Sequence, residues 1–237
     1  MQPEIKTLIV YEDQHIIVCH KPAGISVQSA RIGAADLVSL LKNHLASSGK
    51  DSSANKPPYL AVIHRLDQPV EGLLVFAKTP AAAKILNRQL TSSGFGKYYR
   101  AVVVGIPDPS EGNLEDYLIK DGRANISRVC TKETPGAKQA RLHYRVEKIY
   151  NDSRPVTSLV KIKLDTGRHH QIRVQMAQMG CPLVGDRKYG DISDSRSVSG
   201  SLVCKNTSLK LCAYRLDFKH PATGKDMTFE LPYIPEA

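Results

Sequence analysis

Apolar and polar residues alternate along this chain in short runs, and most of those runs read as strands. Leu8-Ile9-Val10 and Ile16-Ile17-Val18-Cys19 form two apolar runs separated by a turn at Glu12-Asp13. Lys21-Pro22-Ala23-Gly24 then breaks the pattern, because proline lacks a ladder N–H and glycine permits a sharp turn. Gly33 to Leu45 changes period: Leu37, Leu40, Leu41 and Leu45 share one face of a predicted helix. Residues 47–58 are rich in Ser, Lys, Asn and Pro and read as a surface loop. Leu60-Ala61-Val62-Ile63 predicts a strand that runs into His64-Arg65-Leu66-Asp67. Pro69 and Gly72 then turn the chain into the wholly apolar Leu73-Leu74-Val75-Phe76-Ala77, a strand covered on both faces. Asp67 is thereby placed in a tight bend between two core strands.

Thr79 with Pro80 is a helix start, and Ala82, Leu86 and Leu90 form its inner face. Lys97 to Gly105 predicts a strand with Tyr99 and Ala101 on one side and Tyr98 and Arg100 on the other. The stretch 106–136, punctuated by Gly112, Gly122, Gly136, Pro107, Pro109 and Pro135, is turn-rich. Strands resume at 140–150 and 157–164, the latter alternating Leu159, Lys161 and Lys163 with Val160, Ile162 and Leu164. Asp165-Thr166-Gly167 announces a helix with Ile172, Met176 and Met179 on one stripe and Gly180 at its end. Arg168 falls at that helix start, where the dipole disfavours a cation, so a carboxylate partner is the simplest reason for it. Residues 182–190 are turn-rich, 192–206 read as an outer loop, and 209–231 as two strands around a turn at His220–Lys225. Many short strands with a few helices predict an α+β fold on a mixed, largely antiparallel sheet.

Charge narrows the partners. Lys and Arg number 33 against 23 Asp and Glu, a formal charge of +10, which suits a polyanion such as nucleic acid. The five cysteines (Cys19, Cys130, Cys181, Cys204, Cys212) form neither a CxxC pair nor a cluster with histidine. That argues against a disulfide framework or structural zinc and for a cytoplasmic chain. The N-terminus opens no signal peptide, and no apolar run reaches membrane-spanning length, so no membrane partner is expected. His169 and His170 lack a third ligand at suitable spacing, so no metal is expected. Nucleotide-cofactor, NTPase and serine-hydrolase motifs do not occur.

Several blocks together resemble the RluA-type family of RNA pseudouridine synthases. They are His64-Arg65-Leu66-Asp67 with Gly72-Leu73-Leu74-Val75 and Ala77-Lys78-Thr79; Lys97-x-Tyr99-x-Ala101 with Gly105; Gly167-Arg168-His169-His170-Gln171-Ile172-Arg173-Val174 with Gly180, Pro182, Gly185-Asp186 and Tyr189-Gly190; and Ala213-x-x-Leu216-x-Phe218-x-His220-Pro221. Glu12-Asp13 and Lys21-Pro22-Ala23-Gly24 also fit. The blocks keep the family's order over nearly the whole chain.

The resemblance implies a single catalytic domain over residues 1–237, with two lobes flanking a central RNA cleft, acting as a monomer without cofactor. It implies Asp67 as catalytic aspartate, Tyr99 stacked on the uracil, and Arg168 paired with the aspartate. Arg65 would order the loop and Ile172 line the base pocket. Lys161, Lys163, Arg173, Arg187 and Lys188 are the candidate contacts to the RNA backbone. The expected activity is isomerisation of uridine to pseudouridine in structured RNA, ribosomal or transfer. The alternative is a non-catalytic RNA-binding module on the same fold, and a base-releasing N-glycosidase is a third reading.

The chain departs from the pattern at Val70-Glu71, where Thr-Ser is usual, at His169 for Thr, at Gln175 for His and at Cys212 for a frequent His. A second carboxylate beside Asp67 disfavours charge there and repels phosphate unless it points away. The sequence also begins almost at the catalytic blocks, so no S4-type RNA-binding domain is expected before them. Affinity is then expected to come from the catalytic domain's own basic surface.

Overall fold

A computed structural model describes residues 4–29, 36–48, 57–92, 94–153, 155–190 and 207–232. The predicted outer loop at 192–206 and most of the loop at 47–58 lie outside them. The chain forms two compact units, one of residues up to Gly96 with Tyr214–Leu231, the other built on Lys97–Ala213.

The first unit starts with a one-turn helix, α1 (Ile5–Leu8), then β1 (Ile9–Glu12) and β2 (Ile16–Lys21). Leu8, expected in the first strand, belongs to the helix turn instead. α2 (Leu37–Ser48) follows, then β3 (Ala61–Val62), β4 (Glu71–Ala77) and α3 (Pro80–Thr91). Asp36 caps α2, its Oδ1 accepting from the Ser39 N–H at 2.7 Å, and the expected helix start at Gly33 lies outside the described residues. Thr79 caps α3 as expected, accepting the Ala82 N–H at 3.1 Å. β2 lies antiparallel on β4, with Lys21 opposite Gly72. Ile16–Cys19 and Leu73–Ala77 are all fully buried, which explains why their sequences are continuous apolar runs rather than alternating ones. β10 (Leu211–Lys219) follows β4 in strand order, and β11 (Asp226–Glu230) pairs with it. Phe95 stacks on Phe218 with ring centroids 5.5 Å apart, Phe218 on Phe229 at 5.9 Å, and Phe229 meets Tyr11 at 5.6 Å.

The second unit carries β5 (Gly96–Val104, which opens one residue earlier), β6 (Glu111–Asp121), β7 (Ile126–Cys130), β8 (Lys138–Tyr150) and β9 (Thr157–Leu164), in the order β5-β9-β8-β6-β7. Neighbours in this order are antiparallel throughout. β6 and β7 lie in the turn-rich stretch 106–136, where no strand was expected. On β6 only Leu118 is buried, so the strand lacks the apolar alternation that marks a half-buried strand.

α4 (Gln171–Gln178) also departs from expectation. Every residue from Gln171 to Met176 is buried, so no single apolar stripe exists. Val174 packs with Leu118 and Ala140 beneath it. Gly185 closes the following turn at φ +77°, where a Cβ would lie 2.2 Å from the Ser208 carbonyl oxygen. Only glycine fits there.

Candidate functional site

The acidic candidate is built in the first unit. Asp67 is partly buried in the turn between β3 and β4, and its carbonyl accepts the Val70 N–H at 3.0 Å. The next residue is clipped in place: the Gln68 carbonyl accepts from the Gly24 N–H at 2.9 Å, and the Gln68 side chain returns a bond to the Gly24 carbonyl at 2.9 Å. A third bond comes from Lys21, fully buried, whose ammonium donates to the carbonyls of Pro22 (2.9 Å), Ile25 (2.8 Å) and Gln68 (3.1 Å). Burial pulls the Lys21 pKa down to about 8, against the opposing pull of the Asp67 and Glu71 carboxylates. One buried cation thus knits two turns together beside two acids. Sequence reasoning took Lys21 as a pattern break and as part of a family block; the signal for its burial was a lysine at the end of the strand that begins with the apolar run Ile16–Cys19.

Glu71 does not lie loose. His20 Nε2 meets its Oε1 at 2.7 Å, across the β2–β4 pair. Arg65 is exposed.

The second unit carries the other candidates. Lys97, Tyr99 and Ala101 share the buried face of β5, and Tyr99 is 6% exposed. In the register, Tyr99 sits opposite Ile162, which faces Tyr144. Arg168 is exposed on the turn between β9 and α4. Its Nε donates to the Gln139 carbonyl at 2.7 Å and its N–H to Gln171 Oε1 at 3.0 Å. Gln171 Oε1 also accepts from the Thr166 hydroxyl at 2.7 Å, and its Nε2 donates to the Arg141 carbonyl at 3.0 Å. Lys97 is buried beside this turn: a Cβ on Gly167 would come 3.3 Å from its ammonium. Burial first, and Arg168 second, lower the Lys97 pKa, while Asp165 opposes them. The second unit therefore brings Arg168 to the face of β5 that carries Tyr99. Lys97, the intermediary, was visible in the sequence only as part of a motif.

The expected backbone contacts separate into three groups. Lys161 and Lys163 lie opposite Arg100 and Tyr98, on the face of the sheet away from Tyr99. Lys161 is half-buried in a cationic row with Arg100 and Arg145, and Lys163 lies 6.0 Å from the Tyr98 ring centroid. Neither lies on the sheet face that carries Tyr99. Arg173 is a correction. It is 4% exposed and grips Asp186 with two bonds of 2.7 Å, so it is a core ion pair and not a rim cation. Burial works to raise the Asp186 pKa, but the Arg173 guanidinium and the N–H groups of Lys188 and Tyr189 hold it below the usual carboxylate range. Arg187 and Lys188 are exposed, as a backbone contact requires, although the Lys188 ammonium also donates to the Asn125 carbonyl. Ile172 is buried in α4 at 4% exposure.

Among the described residues, no group of three His, Cys, Asp or Glu side chains is arranged to hold a metal ion. None of their helices is long and apolar enough to cross a membrane.

Residues 15–178 match the family described as RNA pseudouridylate synthase. The chain belongs to that family. Among curated relatives, it is 35% identical over 226 residues to ribosomal large subunit pseudouridine synthase D of Neisseria meningitidis serogroup B, covering 94% of this chain and 57% of that protein. It is also 35% identical over 239 residues to the enzyme of the same name from Pseudomonas aeruginosa, covering 98% and 70%. The chain spans little more than half the length of the Neisseria relative. In fold, it is similar to human RNA pseudouridylate synthase domain containing 4, with a TM-score of 0.73 and 23% identity over 98% of this chain and 91% of that one. The pseudouridine synthase family thus accounts for the mixed, largely antiparallel sheet and its flanking helices.

Proposed function

We propose that this chain isomerises specific uridines to pseudouridine in structured RNA, with Asp67 as the catalytic carboxylate. The observation that carries the reading is the clamp on the Asp67 turn: three hydrogen bonds, one from a buried ammonium, converge on the Gln68 carbonyl and side chain. A carboxylate presented on so firmly held a backbone is preorganised for one task.

The reaction breaks the uridine N1–C1′ bond, turns the base and joins C5 to C1′. The C5 proton leaves and N1 gains one, so mass is unchanged. Asp67 acts at the ribose, either by attacking it or by removing its 2′ proton. Tyr99 supports the base by stacking once the nucleotide leaves its helix. Arg168 supplies a fixed positive charge for the reaction. Arg187 and Lys188 supply phosphate contacts, which give affinity with little sequence preference. Large-subunit ribosomal RNA is the first substrate to test, since the Neisseria and Pseudomonas relatives carry that name, and transfer RNA is the second. The reading places the protein in the cytoplasm, in keeping with the free thiols of Cys19, Cys130, Cys181 and Cys212.

The test is tritium release from C5-labelled RNA. Wild type releases tritium and yields an RNA of unchanged mass, whereas Asp67→Asn binds the same RNA and releases none. Release by the variant at the wild-type rate removes Asp67 from the chemistry. Free uracil in the wild-type reaction replaces isomerisation by base excision, and RNA binding without release by wild type leaves a binding module.

A further inference from the structure

His169, the neighbour of Arg168, is tied into the β6–β7 hairpin at both ring nitrogens. Its Nε2 meets Asn125 Oδ1 at 3.1 Å, and its Nδ1 meets the Ser127 hydroxyl at 2.8 Å. An amide oxygen only accepts, so the ring proton sits on Nε2 and Nδ1 accepts from Ser127. The ring also stacks on His170, with centroids 3.7 Å apart and planes 24° from parallel. His170 in turn sits in the left-handed region at φ 54°, which a non-glycine residue holds only when its surroundings impose it. Its Nδ1 meets Tyr189 Oη at 2.7 Å, and that oxygen accepts the Ser127 N–H at 2.7 Å. Ser127 therefore anchors both histidines, one by its hydroxyl and one through Tyr189.

We propose that His169 is a positioning residue for Arg168. The Arg168 turn is gripped by Gln139 and Arg141 of β8 and Gln171 of α4, and again, through His169, by Asn125 and Ser127 of the β6–β7 hairpin. The guanidinium keeps its direction only while both grips hold. The inference rests on the reading of Arg168 as a group that serves the reaction. Removing the His169 ring releases two hydrogen bonds and a stacked contact from a backbone already in an unfavourable conformation. The turn then relaxes while the sheet beneath it stays intact. Small misplacements of a charged group fall on the chemical step rather than on binding. Glutamine at 169 presents one donor and one acceptor and can meet the same two partners.

The experiment measures kcat, KM and thermal midpoint for His169→Ala, His169→Gln, Arg168→Ala and the double variant His169→Ala/Arg168→Ala. In the expected result His169→Ala lowers kcat about tenfold with KM within about twofold, His169→Gln recovers most of the loss, and the double variant is no slower than Arg168→Ala. Unchanged kcat in His169→Ala, no recovery in His169→Gln, or a double variant that multiplies the two losses overturns the proposal. So does a kcat loss that simply follows a fallen thermal midpoint. Full activity of Arg168→Ala instead overturns the underlying role of Arg168, which separates the two failures.

Discussion

The Lys21 ammonium donates a 3.1 Å hydrogen bond to the carbonyl of Gln68, the residue directly after Asp67. A fully buried lysine costs stability unless every donor is used, and here three carbonyls use them. The contact turns a desolvated charge into a strut for the turn that carries the candidate aspartate.

Replacing Lys21 by methionine keeps most of the volume and strips the part-buried Pro22 and Ile25 carbonyls of the ammonium, while the Gln68 carbonyl keeps the Gly24 N–H. The expected loss of unfolding free energy is about 2 kcal/mol or more, at roughly 1–3 kcal/mol for each of the two acceptors left unsatisfied. Pseudouridine formation should fall at least about tenfold even under conditions where the variant remains folded, because about 1.4 kcal/mol of lost positioning is a factor of ten. Urea denaturation and single-turnover assays on the same preparation check both. A folded variant with wild-type rate removes Lys21 from the positioning of the turn.

Glu71 stands where the family pattern places a small hydroxyl residue, and His20 holds it at 2.7 Å. Its charge is thus engaged along the β2–β4 pair. Glu71→Gln is expected to leave kcat within about threefold of wild type, less than 1 kcal/mol at the barrier. A change of a hundredfold in either direction, read in the tritium assay, would show that this carboxylate reaches the chemistry after all.

His170 makes an acid-sensitive contribution. Burial first, then the neighbouring Arg173, His169 and Lys188, depress its pKa from 6.5 to about 3, while Asp186 opposes them. Between those values the unfolded chain binds a proton that the folded chain refuses, so stability declines as protons become plentiful. The contribution is complete above about pH 6.5 and is lost as pH falls toward 3. His170→Asn removes the titration and retains a residue that tolerates the left-handed backbone. Denaturant unfolding at pH 7 and pH 4.5 should show wild type losing more stability than this variant over that interval. Equal losses would mean that His170 is protonated in the folded chain.

Two arginines that look alike in sequence should behave oppositely. Arg173→Ala leaves the buried Asp186 uncompensated, and the expected cost is about 3–5 kcal/mol of stability with little effect on RNA affinity per folded molecule. Arg187→Ala should leave stability within about 0.5 kcal/mol and weaken RNA binding across sequences. Its salt dependence should then flatten by about one unit of slope. Filter binding at several salt concentrations alongside thermal melts checks the pair, and a salt slope unchanged in Arg187→Ala excludes a phosphate contact there.

Much of this architecture could be read from the chain. Continuous apolar runs gave β2 and β4, because strands buried on both faces need no alternation. Thr79-Pro80 gave the start of α3, because a hydroxyl cap and a preset φ are local chemistry. β6 was missed because most of its side chains remain accessible, and exposure erases the periodicity on which such a reading depends. α4 misled in the opposite sense. It is covered on all sides, so Arg173 and Gln175 look solvent-facing by residue type and are buried in fact. The partner that makes Arg173 tolerable, Asp186, stands 13 residues away in a turn, and no local pattern announces it. For the candidate site, Asp67, Tyr99 and Arg168 were legible through ordered resemblance, while the burial of Lys21 and Lys97 was not, since burial of a cation is decided by the carbonyls and neighbours that tertiary folding supplies.

The sparse packing of β6 and β7 has a dynamic corollary. Their side chains bury little beyond Leu118 and Ser127, so the hairpin is secured chiefly by the backbone ladder of β6 on β8 and by polar ties to His169, Lys188 and Tyr189. Such a segment opens at a far lower free energy than strands sealed on both faces. Its amides therefore exchange with solvent deuterium well ahead of those in β4, and it is where the folded protein first yields to a protease.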